Sequence, residues 1–357
     1  MDTHLTNISV LAELMGIDSK TLHKWYKEYL SGYNPEGEKQ VHIHDVKIIK
    51  GAKESTIEVP ILRSENIGQD MGIDEKLIGE QWYTLLTNRQ TGKIAFCAAT
   101  TKSSHLQQAM ETVNDCLHGI KTITRDMSAS YANLCENVMP QAQQIIDKFH
   151  VISNLMEAQQ AVRIKYRQQI LEQRRKAFQA FKQEEKQRLE ACERSGEKFK
   201  AKKFNYIEQR LSNGETPGEL LARSHFLLYK FPHQWKPWQA KRAKTLFEHY
   251  PEIEQSYRLS CLFRKWYAKE NIKKHRLQIE KELFQWYEQV EESSIDEMMN
   301  FKSLVESHEE GIIAYFENGH TNAIAENRNG KINKFIASNQ GVRNKDFFFF
   351  RLSNFFC

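Results

Sequence analysis

The sequence predicts an α/β protein whose mixed sheet is interrupted by a large α-helical insertion and preceded by a helix-turn-helix. Three observations predict it. Between Met71 and Asp147, short β-type runs alternate with helical spacing. From residue 151 to about 310 the chain is almost continuously helical in pattern, charged and aromatic. Residues 7–30 carry two apolar-faced helical segments around Gly16. At 357 residues the chain also exceeds the ~100–200 of one ordinary domain.

The first unit, residues 1–32, reads as two helices. Ile8, Leu11, Leu14 and Met15 fall on one face, Gly16 breaks the helix, and Asp18 or Ser19 can cap the next. Leu22, Trp25, Tyr26 and Leu30 supply the apolar side of the second helix. The spacing of Ala12 and Gly16 suits the close approach and sharp turn of a helix-turn-helix. Ser19, Lys20, His23 and Lys24 would then face DNA. Residues 33–68 form a connector, turn-rich at first and then alternating as a short hairpin with Gly51 near its turn.

Residues 69–150 carry the first part of the core. Gly72–Glu75, Gln81–Asn88 and Ile94–Ala99 read as three strands joined by turns, one of them the polar stretch Arg89–Lys93. Ser103–Leu117 has helical spacing, Ile120–Arg125 reads as a fourth strand, Ala129–Val138 as a helix stopped by Pro140, and Gln144–Ile146 as a fifth strand. The order β-β-β-α-β-α-β is that of a ribonuclease-H-like core up to its last strand. Residues 151–318 are too long for a connection inside one core and read as an α-helical insertion, its tryptophans in its interior. Residues 319–357 supply a last core helix, from about Thr321 to Ser338, and a phenylalanine-rich closing helix.

Charge is unevenly spread. Ala161–Arg210 holds 15 basic against 7 acidic residues, in a chain whose net charge is +5. Arg163, Arg167, Arg174 and Arg175 in that stretch could track phosphates. The interleaved Lys198, Lys200, Lys202, Lys203, Phe199 and Phe204 form a second strip, more simply read as packing. Six scattered cysteines make no zinc ribbon or disulfide framework, and neither a signal peptide nor an apolar run of membrane-spanning length is present. The expectation is a cytoplasmic protein without a membrane partner.

Asp74 lies in the first core strand and Asp126 ends the fourth, strands that neighbour each other in a ribonuclease-H-like sheet. Two carboxylates brought together repel, and Mg²⁺ or Mn²⁺ would relieve the repulsion while keeping positions for water and phosphate. Glu326, on the last core helix, is the best third carboxylate. Lys334, eight residues further on, could contact substrate phosphate. Asp147 also ends a strand and rivals Asp126 as second ligand, and Glu75 rivals Asp74.

These strings resemble a known family. Ile73-Asp74-Glu75, Thr124-Arg125-Asp126-Met127-Ser128 with Tyr131, Asp147-Lys148-Phe149-His150-Val151 and the tail from Thr321 through Glu326 and Lys331 to Arg343-Asn344 are similar to DDE transposases of bacterial insertion sequences, ISL3 group, from about Asn66 to the end. The resemblance implies a DNA transposase that cleaves the strand at the element end and transfers its 3′-hydroxyl to target DNA, with double-stranded DNA as partner and a homodimer formed on it. It implies Asp74, Asp126 and Glu326 as metal ligands and Asp147 with His150 as a supporting Asp-x-x-His signature. Relatives usually begin with a cysteine-rich zinc module, so a separate zinc-module protein is a further expected partner. The alternatives are a ribonuclease-H-like nuclease without strand transfer and a catalytically inactive DNA-binding derivative.

Overall fold

The computed structural model describes residues 7–34, 44–50, 53–318, 323–338, 342 and 344–357. The chain divides into two compact units, Met1–Val151 with His308–Cys357, and Ile152–Ser307.

In the first unit, α1 (Ile8–Met15) ends on Gly16 in the left-handed conformation, and α2 (Ser19–Trp25) starts from Asp18, whose carboxylate accepts the Thr21 N–H. The apolar face expected for this pair is only partly used. Ala12, Leu22 and Tyr26 are buried, but Leu14, Met15, Trp25 and Leu30 are exposed, because two short helices enclose too little volume to cover them. A hairpin follows, β1 (His44–Lys50) with β2 (Lys53–Val59); Gly51, expected at its turn, lies outside the described residues.

The main sheet is built from β3 (Ile61–Leu62), β4 (Asp70–Ile78), β5 (Gln81–Asn88), β6 (Ile94–Ala98), β7 (Thr122–Arg125) and β8 (Gln143–Ile146). Their spatial order is β3-β6-β5-β4-β7-β8, antiparallel as far as β4 and parallel across β4, β7 and β8. A mixed α/β sheet of this order fits a ribonuclease-H-like core. Between β6 and β7 lie α3 (Ser103–Met110) and α4 (Asn114–Leu117), and between β7 and β8 lies α5 (Ala129–Val138).

Strand alternation sorts the side chains onto two faces. Met71, Ile73, Leu86 and Phe96 pack with Leu106 of α3 and Tyr131 and Leu134 of α5. Ile78, Tyr83, Leu85 and Cys97 lie on the opposite face.

The second unit begins within α6 (Lys148–Ser195) and continues through α7 (Pro217–Arg223), α8 (Pro237–His249), α9 (Pro251–Trp266), α10 (Arg276–Ser293) and α11 (Asp296–Ser307). Helix is not continuous here. Gly196, at φ 74°, ends α6, and the chain returns along it without regular structure. Phe204 packs on Phe178 and Phe181, ring centroids 4.9 and 5.4 Å away, and the Lys202 N–H donates to Glu185. Trp266 and Trp286 are interior, their indole N–H groups donating to the carbonyls of Ile279 and Leu259. Trp238 corrects the expectation of an interior position: it is 55% exposed, with the Arg242 guanidinium 5.1 Å from its ring.

The chain returns to the first unit through α12 (Glu309–Asn318), α13 (Ala323–Ser338) and α14 (Lys345–Phe356). Gly311 of α12 lies so close to β8 that a Cβ there would sit 2.8 Å from Cγ1 of Ile146. Ile332 and Phe335 of α13, with Phe348, Phe349, Leu352 and Phe356 of α14, cover the face of the sheet that carries Ile78. Phe347 and Phe350 of α14 also pack against Tyr26, with Ile8 and Tyr33 beside them. Among the described residues, no helix is long and apolar enough to cross a membrane.

Candidate functional site

Three aspartates lie on or directly after the neighbouring parallel strands β4, β7 and β8. Gly72 of β4 pairs with Thr124 of β7, and Arg125 of β7 pairs with Ile146 of β8. Asp74 lies in the middle of β4, while Asp126 and Asp147 directly follow β7 and β8; extending both registers past their last pairs would bring Asp126 level with Asp74 and with Asp147. By alternation Asp74 shares a face with Ile78, the face on which α13 packs. Glu326 belongs to α13, but its side chain lies outside the described residues. Among the described residues, no group of three or more His, Cys, Asp and Glu is arranged to hold a metal ion.

The three aspartates differ in surroundings. Asp74 and Asp126 are half-buried, whereas Asp147 is 5% exposed. Each carboxylate accepts a nearby backbone N–H: Asp74 from Glu75, Asp126 from Ser128, and Asp147 from Phe149 in the first turn of α6. His150 Nε2 lies 3.7 Å from the second Asp147 oxygen. Lys76, two residues beyond Asp74, has its ammonium held below its ordinary range by burial, while the charge of Asp74 opposes that shift.

Glu75 takes the other face of β4, where Tyr131 hydrogen-bonds its carboxyl. Burial raises this carboxyl above its usual range against the opposing effect of Tyr131, and the charges of Asp126 and Asp74 raise it further. The Tyr131 hydroxyl also lies 3.0 Å from Thr84 Oγ1, which donates to the Thr100 carbonyl. His308 reaches the same region. Burial lowers its imidazole and the charge of Arg125 adds to this, while a hydrogen bond to the Met127 backbone and the charge of Asp126 oppose it.

The donor set in the aspartate row suits a hard divalent cation. Asp74 and Asp126 offer carboxylate oxygens that solvent can reach, the chemistry Mg²⁺ and Mn²⁺ favour over thiolate or imidazole. The sequence profile of the ISL3-type DDE transposases, described as transposase, matches residues 71–352, most of the chain and the whole aspartate row. The chain belongs to this family. No curated protein and no solved structure matches it. Membership makes the protein a DNA transposase in general, of a family that generally uses divalent metals.

The basic residues read for DNA contact in this transposase fall into different settings. Lys20 and Lys24 are exposed, Ser19 is half-buried, and His23 is exposed with its ring 6.1 Å from Phe347. Arg167, Arg174 and Arg175 are exposed, Arg175 pairing with Glu172 of the same helix. Arg163 corrects the expectation. It is 5% exposed, with Nη1 donating to the Leu221 carbonyl and Nε to Gln160, so its guanidinium holds the helical unit together. Lys334 is exposed on α13.

Sequence reasoning missed Arg89 and assigned no role to Lys76, Thr84 or His308. Arg89 sits in a stretch that reads as a polar turn, and no local pattern signals that its side chain runs back over the sheet. For Glu75 the signal was present, since alternation alone sends it to the face opposite Asp74.

Proposed function

We propose that this transposase performs metal-dependent cleavage and strand transfer at the ends of an insertion sequence, with Asp74, Asp126 and Glu326 holding Mg²⁺ or Mn²⁺. The observation that supports the reading is the parallel pairing of β4 with β7, which extended by two residues would set Asp74 level with Asp126, on a sheet covered by the helix to which Glu326 belongs. When bound, the cation would activate the attacking oxygen and offset charge developing at the scissile phosphate. The chain's own residues would do the rest. The backbone N–H groups of Glu75 and Ser128 fix the orientation of the two aspartates, and Lys76 supplies positive charge beside Asp74. Lys334 would reach substrate phosphate, and Asp147 with His150 would order the rim of the site.

In this reading double-stranded DNA binds through Lys20, Lys24, Ser19 and His23 of the helix-turn-helix, and through Arg167, Arg174 and Arg175 of α6. Two copies assemble on paired ends, and a separate zinc-module protein is a candidate partner. The test is incubation of the purified protein with DNA carrying the native element ends, with Mg²⁺ and with EDTA. Metal-dependent breaks at the ends together with joined products support the proposal. Metal-dependent breaks without joining reduce it to a nuclease, and DNA binding without breaks refutes it.

A further inference from the structure

The helical unit holds four tryptophans, and Trp238 stands apart from the other three. Trp266 and Trp286 are interior, and Trp235 stacks on Tyr257 with 5.5 Å between ring centroids while its indole N–H donates to the Leu227 carbonyl. Trp238, in the first turn of α8, is exposed instead. It is nonetheless held in place. The Arg242 guanidinium lies over its ring, and Arg242 is itself fixed by its two bonds to Glu215, at 2.6 and 3.0 Å. A large aromatic ring backed by an immobilised cation is a preorganised flat surface. It loses little freedom when a second flat ring settles on its open side.

The surrounding charge selects the ligand. No Asp or Glu occurs between Glu219 and Glu248, a stretch that carries Lys230, Lys236, Lys241 and Lys244. Lys236 directly precedes α8, Lys241 follows Trp238 by three residues on the same side of the helix, and both are exposed. A flat apolar ring flanked by flexible ammonium groups matches a nucleobase with a phosphate on either side. In a duplex the base faces are already stacked on one another, so only an unpaired base can offer its face to a side chain. We propose that Trp238 is a stacking platform on which this transposase takes an unpaired base of its DNA, with Lys236 and Lys241 on the adjoining phosphates. The proposal rests on DNA as the substrate, which family membership gives, and not on the metal chemistry of the aspartates.

The test measures binding of the full chain, in EDTA, to fluorescein-labelled DNA by anisotropy. The probes are an oligothymidylate of about twelve nucleotides, a blunt duplex, the same duplex with a short single-stranded overhang, and the same duplex with a short internal mismatched bubble. The variants are Trp238→Ala, Trp238→Phe, Lys241→Ala and, as a control, Phe284→Ala, which removes another exposed aromatic of the same unit. Trp238→Ala is expected to weaken the single strand about tenfold and the blunt duplex by less than about twofold, while Trp238→Phe keeps single-strand affinity within about threefold. Lys241→Ala should lower the salt slope on the single strand by about 0.7. Phe284→Ala should change neither. A Trp238 effect on the overhang or on the bubble supports the proposal in either case, and the larger of the two tells a frayed end from an opened duplex.

Single-strand affinity unchanged in Trp238→Ala, or lost equally on the single strand and the blunt duplex, would overturn the proposal, as would a wild type with no affinity for unpaired strands. Unchanged DNA binding with an altered oligomeric state in sedimentation would overturn it in favour of a protein contact at Trp238. Since no cleavage is read and no metal is present, failure of the metal reading leaves these outcomes untouched.

Discussion

Glu215 organises the helical unit, and its removal has a calculable cost. Arg242 donates from Nε at 3.0 Å and from Nη2 at 2.6 Å to the two carboxylate oxygens, with side-chain exposures of only 19% and 10%. Such a bidentate, largely buried pair is worth ~2–3 kcal/mol when one partner is cut away. Arg223 adds a bond at 3.1 Å, but its guanidinium is exposed and screened by solvent, so it adds little. Glu215→Ala should therefore cost about 3 kcal/mol, which lowers the midpoint of a unit this size by ~6–12 °C.

The pH dependence follows from the same contacts. Burial alone would raise the Glu215 carboxyl, but hydrogen bonds from Arg242, Arg223 and Asn213 outweigh it and hold it below its usual range. A carboxyl depressed on folding stabilises fully above its unfolded pKa and loses that contribution as pH falls through the folded one. Calorimetric unfolding of wild type and Glu215→Gln should differ most at neutral pH and converge below the carboxyl range. A loss under ~0.5 kcal/mol at pH 7, or a difference that grows on acidification, would refute the reasoning.

Three further outcomes follow from particular contacts. Gly311→Ala forces a methyl against Ile146 at 2.8 Å, and should cost ~1–2 kcal/mol in chemical denaturation despite alanine's better helix propensity. Tyr131→Phe removes a hydroxyl shared by Thr84 and Glu75; the expected loss is ~1–3 kcal/mol in thermal unfolding, and unchanged stability would contradict the network. Arg167→Ala should reduce the salt slope of DNA binding by about 1, seen in binding isotherms across ionic strength, whereas Arg163→Met should leave that slope unchanged and lower the unfolding midpoint instead.

The fold was legible where periodicity is strong. Gln81–Asn88 is a strand at the bounds its alternation predicts, and the fourth and fifth core strands differ from expectation by one or two residues at their starts. The two-residue strand Ile61–Leu62 escaped, because a pair of residues after Pro60 has no measurable period. The exposure of Leu14 and Met15 escaped for another reason: amphipathic spacing shows which face could be buried, not whether enough chain exists to bury it. The adjacency of strands β4 and β7, from which the proposed pairing of Asp74 with Asp126 is drawn, was legible only through the expected strand order, since no local pattern links the two segments. Arg89 and Arg163 were illegible because burial of a basic side chain is decided by distant partners, Thr124 in one case and the Leu221 carbonyl in the other.

Asp74 and Asp126 are proposed to act together on a metal-dependent phosphodiester reaction. The most direct measurement is cleavage of element-end DNA in Mg²⁺ by wild type, Asp74→Asn, Asp126→Asn and, as a control, Asp115→Asn on the exposed side of α4. The prediction is loss of cleavage by ~10³-fold or more in both site variants, with folding and DNA binding retained and the control unaffected. Cleavage that persists in Asp74→Asn or Asp126→Asn at wild-type rate would contradict it.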